Sequence, residues 1–185
     1  MYRSLAEAAA NCTRNIATGY GPVFSDRKQL GVAAVLTRGQ PEGKDIAVAE
    51  GHAMQPTERI PVLIQALKQD DCSMRVSAVC DLARMGPLSK DAVPALIEAL
   101  DDGDWVVRVA AITALGEIGA DAKEAVPSLI DALDKEDVCT SAAIALGRMG
   151  TAATEAVEKL TQLRNTKTGF LRWCAEEALR SIQQR

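Results

Sequence analysis

Val93-Pro94-Ala95-Leu96-Ile97 has a close copy on each side of it in this 185-residue chain. Ile60-Pro61-Val62-Leu63-Ile64 begins 33 residues earlier, and Val126-Pro127-Ser128-Leu129-Ile130 begins 33 residues later. Each copy opens an Ala- and Leu-rich helical pattern. A helical unit that recurs at this length cannot bury its apolar face alone, so it stacks on its neighbours and exposes a long surface. The period therefore predicts a solenoid that works by binding.

The composition is consistent with helices only. Apolar residues make up 48% of the chain and aromatic residues 3%, so the core is expected to consist of Ala, Leu, Val and Ile. Small side chains of this kind suit closely spaced helices and argue against a β sandwich. We predict an all-α protein.

The charge distribution excludes several functional classes. Residues 1–60 hold seven Lys/Arg and six Asp/Glu, and residues 61–185 hold fourteen and nineteen. No basic run with interleaved aromatics is present, so we expect no nucleic-acid binding. No apolar run approaches the roughly 20 residues of a membrane span, which predicts no direct membrane insertion. Five cysteines without a CxxC pair favour a reducing compartment. We expect an intracellular protein, soluble or assembly-bound, and leave cytoplasmic or organellar location open.

The second unit has the clearest boundaries. Helix A is predicted from Val93 to about Leu100, an acidic turn follows, and helix B is predicted from Trp105 to Ile118. Pro94 fits the first helical turn, where its missing N–H costs nothing. Asp104 is the predicted N-cap of helix B, and Gly119 its left-handed C-terminal residue.

The other units follow the same plan. The first uses Pro61, Asp71 and Gly86, and the third uses Pro127, Asp137 and Gly150, with an interhelical segment that we predict to be two residues shorter. The fourth begins near residues 156–158, turns at 165–167 and ends in a helix over 170–182. The predicted domains are a divergent helical N-terminal extension and arm over 1–56, and a solenoid over 57–185 with units of about 57–92, 93–125, 126–155 and 156–185.

The helix B sequence carries a family resemblance. Val107-Arg108-Val109-Ala110-Ala111, followed by Ala114-Leu115-Gly116-Glu117-Ile118-Gly119, resembles the short HEAT-like repeat of bilin-lyase-type proteins over about residues 57–183. The resemblance implies a short right-handed α-solenoid of about four HEAT-like hairpins. It also implies that helix A forms the convex layer and that helix B forms the concave, recognising layer. The family includes scaffolds, adaptors and enzyme subunits, so it does not fix an activity.

An Asp precedes an Arg by four residues at Asp71/Arg75 and Asp104/Arg108, with Thr168/Arg172 as a near match. A carboxylate site is one interpretation. The favoured interpretation is a structural ladder, in which the Asp or Thr caps helix B and the Arg bridges to an acid of the next unit. Cys139 stands at the Arg position of the third unit, so we predict that the ladder breaks there.

Helix B also presents aliphatic or small residues at positions outside its predicted core. That core comprises Val107, Ala110, Ala111, Ala114, Leu115 and Ile118. The remaining positions are Val76, Val79 and Cys80; Val109, Ile112 and Thr113; Thr140, Ala143 and Ile144; and Trp173, Glu176 and Glu177. Water would favour charges here, so we predict a partner interface. The predicted contacts are Val76, Val79, Val109, Ile112, Thr113, Ile144 and Trp173, with Trp105 as a flanking anchor. Alternatively, a one-position error in helix phase places some of them in the core. The polar fourth unit predicts a terminal cap.

The N-terminal third does not follow the period clearly. Residues 3–17 and 25–38 have helical patterns, and residues 39–57 are rich in Gly and Pro. We favour a degenerate first repeat for 25–38 and an arm that wraps a neighbouring subunit for 39–56.

Residues for catalysis are sparse. His52 is the only histidine and has no companions at metal-ligand or relay spacing, and Gly19-Tyr20-Gly21 is better explained as a turn than as a dinucleotide loop. Cys80 and Cys139 are candidate thiol nucleophiles, although buried small-residue roles are more common. The paired His-Glu motifs of the HEAT-like iron hydroxylases are absent from the sequence. We therefore expect no catalytic residue, no metal site and no cofactor.

The sequence thus predicts a non-enzymatic, protein-binding scaffold or accessory subunit of a multi-subunit assembly. The alternative is a chromophore (bilin) lyase or isomerase subunit, for which the chain is short and offers no paired acid and base. A third possibility is that the repeats stabilise a nucleic-acid enzyme, which the acidic repeat region disfavours.

Overall fold

A computed structural model describes residues 55–184 of the chain. These residues form eight α-helices and no strand, which confirms the all-α prediction. The helices are α1 (Pro56–Ala66), α2 (Cys72–Met85), α3 (Val93–Glu98), α4 (Trp105–Ile118), α5 (Val126–Ala132), α6 (Cys139–Met149), α7 (Val157–Thr166) and α8 (Gly169–Gln183). Short 3₁₀ helices, which the sequence analysis did not predict, span Gly86–Ala92, Ala99–Asp101, Gly119–Ala125 and Gly150–Ala156.

The helices pair into four hairpins that stack in sequence order. Helices α1, α3, α5 and α7 are the A helices, and α2, α4, α6 and α8 are the B helices of the first to fourth units. Each B helix packs against its own A helix, and the B helices of successive units pack against each other. The arrangement is an all-α, HEAT-like solenoid, as predicted. The extension predicted for residues 1–56 lies outside the described residues up to Met54, so its two alternatives stay predictions.

The limits of helix B in the first two units have the predicted local causes. The Asp71 carboxylate accepts a hydrogen bond from the Ser73 amide at 2.9 Å, and Asp104 accepts one from the Val106 amide at 2.8 Å. Gly119 ends α4 with φ +73° and ψ −134°. Its φ is positive as predicted, but its ψ lies outside the left-handed helical region, in a region that is essentially restricted to glycine. The chain needs this conformation because it turns directly into a 3₁₀ helix.

The third unit is shortened in helix B and not in the interhelical segment, where the sequence predicted it. The segment between α5 and α6 spans residues 133–138, as many residues as the segment 99–104 of the second unit. Helix α6 instead has 11 residues where α4 has 14. Because the first turn of helix B is missing, Val138 and not Asp137 is the N-cap, and it makes no side-chain capping bond. The predicted cap at Asp137 is therefore wrong.

The fourth unit turns later than predicted. Helix α7 continues through Thr166, so Asn165 and Thr166 are helical, and only Lys167 and Thr168 separate α7 from α8. Thr168 is the N-cap of α8, yet its side chain makes no capping hydrogen bond. The near match Thr168/Arg172 is thus not a member of the ladder.

Small residues allow the B helices to approach each other closely. A Cβ atom added to Gly116 of α4 would lie 3.0 Å from the Ala145 Cα of α6, and one added to Gly147 of α6 would lie 3.0 Å from the Ala178 Cα of α8. Contacts this short leave no room for a larger side chain. The Ala-rich, aromatic-poor composition therefore sets the spacing of the B layer.

Candidate protein-binding surface

The predicted ladder links the first three units at the turns that precede helix B. Arg75 donates to both carboxylate oxygens of Asp102 at 2.8 and 3.0 Å, and to the main-chain oxygens of Gln69 and Asp70 at 2.9 and 2.8 Å. Each ladder arginine therefore fastens its own turn to the turn of the next unit. The prediction that the Arg bridges to an acid of the neighbouring unit is confirmed.

Arg108 repeats this arrangement one unit later. It donates to Asp137 through Nε at 3.1 Å and through Nη2, and it donates to the main-chain oxygen of Asp102 at 2.6 Å. Asp137, predicted as a helix cap, is used as the acceptor of this link. The ladder thus has two arginines, Arg75 and Arg108.

The ladder carboxylates are held in their ionised form. Partial burial alone raises the pKa of Asp102, but the hydrogen bonds from Arg75 and the Asp104 amide, with the charges of Arg75 and Arg108, lower it overall. The hydrogen bond from Arg108 lowers the pKa of Asp137. A general acid or base works with a pKa near the operating pH, so lowered values fit a structural role. The carboxylate-site interpretation receives no support from this geometry.

The ladder ends at Cys139, as predicted. The turn before α6 is closed by main-chain bonds, in which the Val138 and Cys139 amides donate to the Lys135 oxygen at 3.2 and 2.9 Å. The Cys139 thiol donates to the Glu136 oxygen at 3.6 Å. In the fourth unit Arg172 pairs at 2.8 Å with Glu176 of its own helix.

The predicted contact residues divide into three groups. Ile144, Trp105 and Trp173 are exposed, at 36%, 43% and 55% of their surface. The side chains of Val76, Val109 and Thr113 are half-buried, and the two valines pack against the core. Val79 and Ile112 are completely buried. The first two groups, residues 76, 105, 109, 113, 144 and 173, are called the helix B surface below.

Val79 and Ile112 are corrected from predicted contacts to core residues. A residue three positions further along a helix lies about 60° to one side of the first, and a residue four positions further lies about 40° to the other side. Val79 is therefore turned from Val76 toward the B helix of the next unit, and Cys80 is turned to the opposite side. The alternative that some of these positions belong to the core is correct for both residues, because each B helix is flanked by other B helices as well as by helix A.

Phe170, which is not among the predicted contacts, is 60% exposed in the first turn of α8. Its ring stacks on Trp173 with a centroid distance of 5.6 Å and an interplanar angle of 17°. Residues three apart lie on the same side of a helix, and the chain has few aromatic residues. Two aromatics at this spacing could therefore have been recognised as a pair from the sequence. The aromatic pair adds to the helix B surface at its C-terminal end.

The exposed large hydrophobic side chains are concentrated in the B layer. Within residues 55–184 there are six, of which five lie on B helices and one, Leu88, in a connection; none lies on an A helix. The five are Trp105, Val106, Ile144, Phe170 and Trp173. Among residues 55–184, large apolar groups are therefore exposed to solvent on the B helices and not on the A helices.

A shallow cleft of about 370 Å³ lies at the C-terminal end of the solenoid, lined by Arg164, Glu176, Leu179, Arg180 and Gln183. Glu176 and Arg180 occupy the register positions of Ala143 and Gly147, which are buried in the third unit. Charged groups thus replace small ones on the face where a fifth unit would stack. The terminal cap predicted for the fourth unit stays a prediction.

Two features of the described residues concern the predicted lack of metal and thiol chemistry. No group of His, Cys, Asp or Glu suited to a metal ion occurs among residues 55–184. Burial raises the pKa of the Cys174 thiol to about 11, with a smaller contribution from Cys139, which disfavours the reactive thiolate. No helix in the described range is long and apolar enough to cross a membrane. His52 and Gly19-Tyr20-Gly21 lie outside the described residues.

Comparisons with known proteins agree with this architecture. A search of curated proteins found no match. One similar solved structure is the crystal structure of an engineered protein from the Northeast Structural Genomics Consortium, with a TM-score of 0.57 and 26% sequence identity. The match covers 67% of this chain and 62% of that one, so this chain spans less than two thirds of the engineered protein. Residues 60–141 match the family model of HEAT repeats. HEAT-like repeats are therefore shown for this segment, which is less than half of the 185 residues.

Proposed function

We propose that this protein is a non-enzymatic scaffold or accessory subunit of a larger protein assembly, which binds its partner through the helix B surface and the N-terminal arm. HEAT repeats form helical scaffolds that typically mediate protein interactions, and residues 60–141 belong to this class. The binding surface and the larger assembly are specific to this proposal and are not implied by the presence of HEAT repeats.

The observation that carries the proposal is the placement of the exposed hydrophobic side chains. Five of the six in residues 55–184 lie on B helices. A solvated helical layer normally presents charged groups, and a row of exposed aliphatic and aromatic side chains marks a protein interface. No exposed large hydrophobic side chain lies on the A helices of the described residues, although these helices belong to the same repeats, so composition alone does not explain the difference.

The free energy available from burying the exposed aromatic side chains is large enough to contribute to binding. Aromatic side chains bury about 150–250 Å² each, and burial is worth about 25 cal/mol per Å². Covering the exposed half of Trp173 is therefore worth about 2–3 kcal/mol before the cost of association. Tryptophan is also enriched among the few residues that dominate interface energetics. Shape and apolar burial form the proposed mechanism, and no chemical step is involved.

The test is a double substitution in the middle of the surface. Ile144→Glu with Trp105→Ser places a charge in the surface and removes an anchor, while Leu88→Ser removes a more exposed hydrophobic group outside the B layer as a control. The partner is identified by native purification and mass spectrometry, and its affinity for each purified variant is then measured. We expect the double variant to lose the partner with unchanged helicity, and Leu88→Ser to keep it. Unchanged affinity of the double variant would refute the surface. Ile112 is unsuitable for this test because a charge there would enter the core.

The arm is tested separately by deleting residues 1–54. If the arm wraps a neighbouring subunit, the deletion weakens partner retention more than it lowers thermal stability. An unchanged partner profile with lowered stability would instead identify the segment as a cap. No feature of residues 55–184 favours the chromophore-lyase alternative.

A further inference from the structure

The exposed hydrophobic side chains of the B helices lie on both sides of the third unit. Trp105 and Val106 are the first two residues of α4, and Phe170 is the second residue of α8, with Trp173 about one turn further along. Ile144 lies between these two groups, on α6. All five side chains are exposed, and the rings of Phe170 and Trp173 stack with their centroids 5.6 Å apart. The second and fourth units thus present apolar groups at the same height along helix B.

The spacing of the B helices is also the same on both sides of the third unit. A Cβ atom added to Gly116 of α4 would lie 3.0 Å from the Ala145 Cα of α6, and one added to Gly147 of α6 would lie 3.0 Å from the Ala178 Cα of α8. A two-fold axis parallel to α6 would therefore place α4 of one copy over α8 of a second copy. The apolar groups of α4 would face the aromatic pair of α8, and α6 would face its own copy. In a two-fold interface each such contact is made twice.

The first unit has no counterpart in this arrangement, because the described solenoid has four units. Its B helix, α2, carries no exposed large hydrophobic side chain, whereas α4, α6 and α8 each carry at least one. Within residues 55–184, exposed apolar groups are thus found on the three B helices that a second copy would cover. They are missing from the one that it would leave open.

The charges of the second and fourth units are opposite in sign. Residues 93–125 hold two Lys/Arg and seven Asp/Glu, a net charge of −5, and residues 156–184 hold five and three, a net charge of +2. The ion pairs that cross between units leave both signs unchanged. A second copy that places its fourth unit over the second unit therefore brings together opposite charges.

The turns before α4 and α8 show the same complementarity. Lys167 directly precedes the N-cap of α8, as Gly103 directly precedes Asp104, the N-cap of α4. Lys167 is exposed, and neither Lys167 nor Asp104 makes an ion pair within residues 55–184. Arg172 of α8 is already paired with a glutamate of the same helix. The two-fold arrangement brings Lys167 of one copy close to Asp104 of the other.

We propose that the occupant of the helix B surface is a second copy of this chain, in a two-fold dimer whose axis runs parallel to α6. The second unit of each copy faces the fourth unit of the other. This inference rests on the proposed function and narrows it, because it states which partner the surface takes. Burial of the apolar groups supplies affinity, and the opposite charges select this pairing of units.

The first experiment measures the mass of the full-length protein by sedimentation equilibrium over about 1–100 μM, a range suited to moderate affinities. We expect the mass to rise from that of the 19.7 kDa monomer to twice this value. Phe170→Ser/Trp173→Ser should weaken the dimer about tenfold or more, since it removes two aromatic groups from each copy. Leu88→Ser, outside the B helices, is the control and should have no effect. A monomer at every concentration would overturn the inference.

The second experiment mixes two variants, Trp105→Ser/Val106→Ser and Phe170→Ser/Trp173→Ser, and counts the dimers by native mass spectrometry. In the proposed geometry a dimer of either variant has no intact contact between the second and fourth units. The mixed dimer has one intact contact and one contact altered on both sides. We expect mixed dimers to exceed the statistical share of about one half, because contacts that share partners are not additive. A statistical share would refute the pairing of the second unit with the fourth.

The charge contribution is tested with Lys167→Glu. We expect this variant to weaken the dimer about threefold at low salt and less at high salt, because exposed charges are screened. The matched control is Lys123→Glu, which reverses another exposed lysine that forms no ion pair within residues 55–184 and lies in the connection after α4. Circular dichroism checks that both variants keep their helicity. Equal loss in the two variants would overturn the proposed geometry.

Failure of this inference differs from failure of the proposed function. If the protein stays monomeric and Ile144→Glu/Trp105→Ser loses a different native partner, the second copy is refuted and the scaffold function stands. If that variant loses neither the dimer nor a native partner, the proposed function itself fails.

Discussion

The first three units and the fourth are joined in different ways at the turn end of helix B. Arg75 and Arg108 each connect two successive turns, whereas Cys139 stands at this position in the third unit and contacts only Glu136 of its own turn and the adjacent Thr140. The packing of the helices themselves does not differ, because Gly116 meets Ala145 in the same way as Gly147 meets Ala178. This difference indicates that side-chain packing between helices holds the repeats together, whereas the ladder connects the turns.

The largest expected effect concerns the shared packing. Gly116→Val and Gly147→Val each force a side chain against a neighbouring Cα, which we expect to cost about 2–3 kcal/mol of unfolding free energy. Urea denaturation measures this loss. Gly103→Val is the control, since a Cβ there meets nothing within 4 Å. A much smaller loss at Gly147 than at Gly116 would show that the last two units are not packed like the others.

The next effect concerns the ladder arginines. Their side chains are largely buried, with 16% of Arg75 and 20% of Arg108 exposed. Arg75→Met or Arg108→Met leaves a carboxylate and two main-chain oxygens without their donor, so we expect each to lower the melting temperature by several degrees. Arg172→Met is the control, because it breaks an exposed pair within α8 and should change little. Equal effects of all three would mean that the ladder contributes nothing beyond surface ion pairs.

A pH dependence follows from the same groups. The pKa values of Asp102 and Asp137 are lowered in the folded state, so the unfolded chain binds more protons in acid. Their contribution to stability is complete above the unfolded value of about 3.9 and is lost as the pH falls through the folded pKa. We therefore expect the urea concentration at the midpoint of unfolding to decrease as the pH falls through this range.

The double variant Asp102→Asn/Asp137→Asn checks the assignment. It should be less stable at neutral pH and should lose less of its remaining stability in acid. Some acid dependence is expected to remain, because the hydrogen bond with Ser73 also lowers the pKa of Asp71. An unchanged acid profile in the double variant would assign the dependence to other carboxylates.

The smallest effect is expected at the break in the ladder. Cys139→Arg restores the arginine of the repeat but finds no acid in the turn of the fourth unit, where only Lys167 and Thr168 separate the helices. Its charge also lies at the N-terminus of α6, where a cation is slightly unfavourable. We expect a change in stability within about 0.5 kcal/mol. A clear gain in melting temperature would show that the main-chain turn does not replace the arginine.

Local signals predicted most of the fold. Asp104 and Gly119 mark the limits of α4 because capping and glycine conformation depend on neighbouring residues only. The third unit was less predictable, because two residues could be absent from either the turn or helix B. The main-chain hydrogen bonds that close its turn cannot be identified from the sequence. The candidate surface was predicted in part, since helical phase placed Ile144 and Trp173 on one face but could not show how far neighbouring helices cover Val79 and Ile112.

The sequence by itself determined the repeat, its period, the class of fold and the pairing of each ladder arginine with the following unit, because these follow from local periodicity and from spacing that recurs. Only the tertiary structure decided which side chains of helix B reach the solvent, that Phe170 and Trp173 form one exposed pair, and that the ladder ends without a substitute arginine. The physical reason is that burial on a B helix depends on its own A helix and on the adjacent B helices, and the sequence of one helix does not specify these contacts.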